Sequence, residues 1–265
     1  YDPRGDFVVD AAYVQYFVPA HAGDRAPVVL VHGGGMCGTC WDRTPDGRPG
    51  WVQGLLARGY TVHVVDLPER GRAGFAPGHM PGEPILRSLQ EAWTLFRFGP
   101  AEGYADRRAF AGQQFPTDHL EAFGRCFVPR WLGTAGRHRA ALGAVLDHTG
   151  PAVLICHSQG AEAAFDVAAR APDQVAGLVA IEPSAFPDDP LALAATPPLI
   201  VLGDHLDCAD HWRARADRWA GLAAAIPGAA LLDTARAVAP GGSHMLMMDR
   251  HGAAVLDAVL ARLDA

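Results

Sequence analysis

No apolar run in this chain reaches the ~18 residues needed to cross a bilayer, so no membrane span is expected. Its 22 Lys and Arg residues form no cluster and are outnumbered by 29 Asp and Glu. A net charge of −7 without a basic face argues against nucleic acid as a partner. The acidic excess is mild and does not gather in a tail. No internal repeat and no low-complexity segment is present, which sets repeat architectures aside. Cysteine is scarce: five thiols, Cys37, Cys40, Cys126, Cys156 and Cys208. That odd number leaves at least one unpaired in a monomer and does not settle the redox compartment. The sequence begins at Tyr1 rather than Met and shows no signal peptide. Secreted, periplasmic and cytoplasmic locations all stay open.

What is present is an ordinary globular composition, 49% hydrophobic and 19% charged over 265 residues. That length fits one large α/β domain with a full core. Short all-apolar runs read as buried strands at Val28–Val31, Thr61–Val65, Ala152–Cys156, Val175–Ile181 and Leu199–Leu202, with a further strand at Ala229–Leu232. Phe7–Val18 alternates as an antiparallel hairpin would. Helical patterns fall at Trp41–Arg58, Ala161–Arg170, His211–Ile226 and Ala253–Leu263. Strands alternating with helices predict a mostly parallel sheet flanked by helices on both faces. Residues 75–136 break this rhythm with Trp93, Phe96, Phe98, Tyr104, Phe110, Phe115, Phe123, Phe127 and Trp131. They read as a helical cap inserted over the carboxyl edge of the sheet, where ligands bind in such folds. An elaborated loop with its own small core is the alternative.

Three motifs carry chemistry. Ile155-Cys156-His157-Ser158-Gln159-Gly160 follows a strand and opens a helix. That is the setting of the nucleophile elbow of α/β hydrolases, Gly-x-Ser-x-Gly, with Cys156 in place of the first glycine. A serine needs an adjacent base. In this fold the base is a late histidine, and His244 in the glycine-rich Gly241-Gly242-Ser243-His244 fits that place. His251, at the start of the last helix, reads as a surface residue. His32-Gly33-Gly34-Gly35 after the first buried strand matches the oxyanion-hole motif of lipases and esterases. Gly34 and Gln159 would supply the backbone N–H donors. A glycine run can also cradle phosphate, but this one lacks the P-loop ending and the dinucleotide spacing.

The acid that orients the histidine has two candidates at strand ends. Asp207 follows Leu199–Leu202, the usual place, and Glu182 follows Val175–Ile181. The residues alone leave the choice even. Asp204, His205, Asp207, Cys208 and His211 are dense in potential ligands, yet their spacing matches no known metal site, so no metal is expected.

Further stretches carry a resemblance. They include Thr44-Pro45-Asp46-Gly47-Arg48-Pro49-Gly50-Trp51, Arg70-Gly71-Arg72, Phe96-Arg97-Phe98-Gly99-Pro100, Gln114-Phe115-Pro116 and Trp131-Leu132-Gly133, together with Glu182-Pro183, Gly203-Asp204-His205 and Ser243-His244-Met245. With them the chain resembles a small family of bacterial α/β-hydrolase esterases whose triad acid is a glutamate after the sixth strand. The resemblance implies Ser158 as nucleophile, His244 as base and Glu182 as acid, with Gly34 and Gln159 forming the oxyanion hole. The best-known esterase of that family has vicinal cysteines where this chain has Gly34-Gly35. The Cys37-Gly38-Thr39-Cys40 pair instead reads as structural, as a disulfide or as free thiols. The expected reaction is hydrolysis of a hydrophobic small-molecule carboxylic ester, without a cofactor. Lactone, thioester, lyase or cyclase chemistry on the same scaffold is the second reading, and a non-enzymatic binding protein the third. A homodimer stays open.

Overall fold

The computed structural model describes residues 4–76 and 78–264. Seven strands form one sheet in the order β1-β3-β2-β4-β5-β6-β7. They are β1 (Tyr13–Phe17), β2 (Val28–Val31), β3 (Val62–Asp66), β4 (Ala152–His157), β5 (Val175–Ile181), β6 (Pro198–Leu202) and β7 (Ala230–Asp233). Only β1 runs antiparallel, paired to β3 with Gln15 opposite Val64. All other neighbours are parallel.

The helices are α1 (Trp51–Leu56), α2 (Leu89–Leu95), α3 (Leu120–Gly124), α4 (Ala135–Thr149), α5 (Gly160–Arg170), α6 (Asp210–Ala225), α7 (Thr234–Ala237) and α8 (Gly252–Leu263). Successive strand residues point to opposite faces of the sheet, and both faces are dry. Leu30, Val64, Ile155, Val179 and Val201 face one core with α1 and α8. Val31, Val65, Leu154, Ala180 and Ile200 face the other with α4, α5 and α6. This two-sided burial is why the strands are continuous apolar runs rather than alternating ones.

Residues 75–136 hold α2, α3 and several single 3₁₀ turns. Trp93, Phe98, Phe115 and Phe123 are fully buried and pack edge-to-face or stacked on one another. They belong to the same apolar cluster as Leu30 and Val64 of the sheet. The segment is therefore continuous with the main core and does not build a separate one. Each fully buried Phe contributes roughly 1.5–3 kcal/mol. The aromatic side chains that suggested a hydrophobic substrate are in large part consumed by this packing.

Three sequence expectations are corrected. The N-terminal hairpin is a single strand, β1, because Phe7–Val9 lie exposed without a partner strand among the described residues. Glu182 directly follows β5, the fifth strand in the count used here. The helix expected over Trp41–Arg58 is a 3₁₀ turn at Gly38–Trp41 followed by α1. Between them Pro45, Gly47, Pro49 and Gly50 break the helix, and an Arg43–Pro49 bridge closes a loop. Helix α4 was not anticipated, since its buried face is a narrow row of His138, Ala141, Leu142, Val145 and Leu146.

Candidate active site

The elbow sits where β4 ends and α5 begins. Ser158 adopts φ +50°, a left-handed conformation costly for any residue with a Cβ. Backbone hydrogen bonds hold it: its N–H donates to the Ile181 carbonyl at 2.9 Å, and its own carbonyl accepts from the N–H groups of Ala161 and Ser184. Gly160 is required beneath it, because a Cβ there would stand 2.5 Å from the His32 carbonyl oxygen. Cys156 occupies the first glycine position without strain. It is fully buried in the second core, and its thiol donates to the Val179 carbonyl at 3.3 Å. Burial pushes that thiol up to about 12, so it stays protonated.

Ser158 Oγ lies 3.0 Å from His244 Nε2. On the other side of the ring, Nδ1 lies 3.0 Å from Glu182 Oε2. Glu182 occupies the strand end of β5, itself at φ +49°, and its N–H donates to the Val201 carbonyl. The His244 ring is boxed in. Phe96 stacks on it at 5.2 Å and 13°, and the Phe96 carbonyl accepts from the His244 N–H. His157 Nε2–H donates to the His244 carbonyl at 2.9 Å.

The loop bearing His244 is pinned at two points. Asp204 Oδ2 accepts the Gly241 N–H, while the Asp204 N–H donates to the Gly242 carbonyl. Asp249, fully buried, accepts from both the hydroxyl and the N–H of Ser243 at 2.6 and 2.7 Å.

Burial alone would raise the Glu182 carboxyl. The Arg97 charge and the His244 hydrogen bond outweigh it and hold the group well below the usual carboxylate range. Burial lowers His244 below the ordinary imidazole value despite the opposing pull of Glu182, so the ring is a neutral base near pH 7. Burial pushes Asp249 up to about 7.

Arg97 is the residue that sequence reading missed. It is fully buried and grips both Glu182 oxygens, Nη1 to Oε2 at 2.9 Å and Nη2 to Oε1 at 2.7 Å. Its Nε donates to the Asp204 carbonyl, and its plane lies over Trp212 at 4.5 Å. The Gly203 N–H adds a second donor to Glu182 Oε1, at 2.5 Å. The only signal in the sequence is a charge set between two phenylalanines in Phe96-Arg97-Phe98. Nothing there says that it meets a carboxylate 85 residues away.

The His32-Gly33-Gly34-Gly35 loop lies against the elbow. A Cβ on Gly34 would meet Gln159 Oε1 at 2.7 Å and Arg130 Nη1 at 2.8 Å. Among the described residues, neither the Gly34 nor the Gln159 N–H donates to another protein group. The His32 ring holds the loop from below, accepting the Leu67 N–H on Nε2 and donating from Nδ1 to the Gly33 carbonyl. Burial, helped by the Arg70 charge, lowers the ring to about 3 and keeps it neutral despite the Gly33 hydrogen bond. The Gln159 side-chain oxygen accepts from Arg130 Nη1 at 3.0 Å and Arg70 Nη2 at 3.3 Å.

Asp207 is exposed, and among the described residues its carboxylate makes no hydrogen bond or ion pair with His244; its main-chain carbonyl accepts from Arg213. Among the described residues no three His, Cys, Asp or Glu side chains converge as metal ligands would. Cys37 and Cys40 are buried free thiols, Cys37 against the Thr39 hydroxyl at 3.2 Å.

Residues 26–216 match the family model described as the alpha/beta hydrolase fold. This chain belongs to the α/β hydrolase family. A structure solved as a novel bacterial esterase is similar along the whole chain: 32% identity, TM-score 0.89, covering 100% of this chain and 88% of that one. A probable secreted lipase, phiG, of Fungal sp. (strain ATCC 74256) is 31% identical over 186 residues, 67% of this α/β hydrolase. The chain spans half the length of that curated relative. A predicted CIB-like hydrolase from Thermoplasma acidophilum shares the fold at 18% identity, TM-score 0.54, covering 97% of this chain and 96% of that one. The α/β hydrolase described here is thus esterase- and lipase-like in its relatives.

Proposed function

We propose that this chain is a serine esterase that cleaves carboxylic esters through an acyl-enzyme. Ser158 is the nucleophile, His244 the base and Glu182 the acid that orients it. The observation that carries this reading is the unbroken relay, Ser158 Oγ to His244 Nε2 at 3.0 Å and His244 Nδ1 to Glu182 Oε2 at 3.0 Å. The histidine Nδ1 keeps its proton because an ionised Glu182 accepts it, which leaves the Nε2 lone pair facing the serine hydroxyl.

In the first half-reaction Ser158 Oγ attacks the ester carbonyl carbon while its proton passes to His244 Nε2. The carbonyl oxygen takes up negative charge between the Gly34 and Gln159 N–H groups. His244 then gives the proton to the departing alcohol oxygen, leaving the acyl group on Ser158. Water, deprotonated by the same nitrogen, attacks the acyl carbon; the bond to Ser158 Oγ then breaks, His244 returns the proton to that oxygen, and the acid is released. Glu182 remains charged throughout and stabilises the imidazolium. The segment 75–136 serves as the cap over this edge, contributing Phe96 against the base and Arg97 against the acid.

The test is direct. Ser158→Ala should lose hydrolysis of 4-nitrophenyl esters by about 10⁴-fold or more, and an organophosphonate should add to Ser158 in the native chain, read by mass spectrometry. Full ester turnover by Ser158→Ala would refute the assignment. Continued natural turnover after trapping would point to chemistry without an acyl-enzyme.

A further inference from the structure

Three arginines crowd the glycine loop beside Ser158, and their charges are not equally balanced. Arg70 is buried and paired to Glu69 at 3.0 Å. Arg130 has no carboxylate within salt-bridge distance among the described residues. Among the described residues its side chain bonds to the neutral Gln159 oxygen alone, and its Nε is buried without a partner. Arg87 meets Glu91 through Nη1, on a side chain half exposed to solvent, and its Nε is likewise buried and unpartnered.

The two are brought together by the chain. An antiparallel bridge between Ile85 and Arg130, with N–H to carbonyl distances of 2.7 and 3.0 Å, sets Arg87 two residues along the same strand-like segment. A Cβ on Gly34 would lie 2.8 Å from Arg130 Nη1, and one on Gly35 4.0 Å from Arg87 Nε. Arg87 also lies over Phe96 at 5.4 Å, the ring that stacks on His244. Gly34, Ser158, Gln159, Arg87 and Arg130 are all partly exposed, and Arg87 is flanked by exposed Leu86 and Ser88, so solvent reaches this edge of the site.

Burial and the like charge of Arg130 disfavour the Arg87 cation against the pull of Glu91. A buried guanidinium donor left without a partner is unfavourable, and the repulsion adds to that. An oxyanion seated between them would satisfy both Nε–H groups and offset the repulsion. Each Nε with its adjacent Nη offers the planar pair of donors that can bind a carboxylate or phosphate through two oxygens.

We propose that Arg87 and Arg130 form an anion subsite beside Ser158, and that the ester hydrolysed here carries a carboxylate or phosphate group on its acyl or alcohol part. This rests on the esterase reading above. It replaces a purely hydrophobic substrate with an amphipathic acid.

The experiment compares two 4-nitrophenyl esters of equal chain length, the glutarate hemiester and the neutral pentanoate. With the full chain, kcat/KM should favour the hemiester by about tenfold or more, the effect of one charge-assisted hydrogen bond. That ratio should fall towards one in Arg87→Gln and in Arg130→Gln, survive in part in Arg87→Lys, and shrink at high ionic strength. Equal or preferential use of pentanoate, with a ratio that neither glutamine variant moves, overturns the subsite while leaving the esterase reading intact. If neither ester is turned over in a Ser158-dependent way, the esterase reading has failed. The subsite is then judged by titrating Ser158→Ala with glutarate and with inorganic phosphate. Binding that disappears in the glutamine variants supports it and identifies the anion; no binding of either overturns it.

Discussion

Arg97 and His244 are where single side chains decide most. The sequence contains no lysine, so every side-chain cation other than a protonated histidine is a guanidinium. At Arg97 the planar fork matters, since it meets both oxygens of a buried carboxylate. Arg97→Met would leave Glu182 buried and charged with only His244 and the Gly203 N–H as partners. Breaking such a pair from one side costs about 3–5 kcal/mol, so thermal unfolding should begin many degrees lower. Arg97→Lys should recover only part of it, because an ammonium cannot bind both oxygens in one plane. For His244 the direction of the shift sets the pH dependence. Burial lowers the ring below 6.5, so kcat/KM should stay level above neutrality and fall on the acid side, with the inflection below pH 6.5. An acid limb at or above 6.5 in the native protein would contradict this burial-dominated base.

At the scale of elements, the elbow and the histidine loop are the parts under constraint. Gly160→Val would drive a Cβ into the His32 carbonyl at 2.5 Å, a backbone atom that cannot swing aside. The expected loss is about 1–3 kcal/mol in unfolding free energy, measured by denaturant titration, with ester hydrolysis reduced as α5 shifts. Asp249→Ala acts differently. It removes the acceptor for both Ser243 donors and frees the loop that carries His244. If His244 is the base, the rate should fall more than KM rises, since the ring is displaced while the entrance is untouched; an unchanged kcat would show that the Asp204, Phe96 and His157 contacts hold the loop without Asp249.

Legibility at this scale divides sharply. Strands β2 to β6 could be read because a strand buried on both faces admits only apolar residues. Ser158 and His244, which the structure brings to 3.0 Å of each other, were candidates in the sequence because the proposed chemistry demands particular residues at a strand end and in a late loop. Helix α4, the single-strand N-terminus and the broken 42–50 loop could not. Each depends on which surface happens to be covered, and their local patterns are ambiguous.

Across the whole molecule, buried neutral histidines make stability depend on pH. His32 and His157 are both lowered to about 3 by burial. In the unfolded chain each is protonated below about 6.5, so the unfolded state binds the extra protons and the folded state loses about 1.4 kcal/mol per pH unit for each ring below that point. Asp249 works in the opposite sense. Its folded value of about 7 adds stability that is complete below the ordinary aspartate range and lost as pH rises to 7. Two imidazoles outweigh one carboxyl, so the melting temperature should drop between pH 7 and pH 5 in a calorimetric scan. A rise over that interval would mean that these rings are not neutral in the folded protein.

The sequence by itself determined the α/β hydrolase class, the strands of the sheet centre and the identities of Ser158, His244 and the glycine loop as candidates. These follow from local rules: period, burial on two faces, and turns that tolerate only small residues. It left Glu182 and Asp207 level on residue chemistry, and only resemblance favoured the glutamate. The tertiary structure decided which carboxylate faces the ring, because β5 and β6 bring both strand ends near His244 but only Glu182 is gripped by Arg97. It alone revealed Arg97, Asp249 and the pair Arg87 and Arg130. Their roles depend on contacts between residues far apart in the chain, which no local pattern encodes.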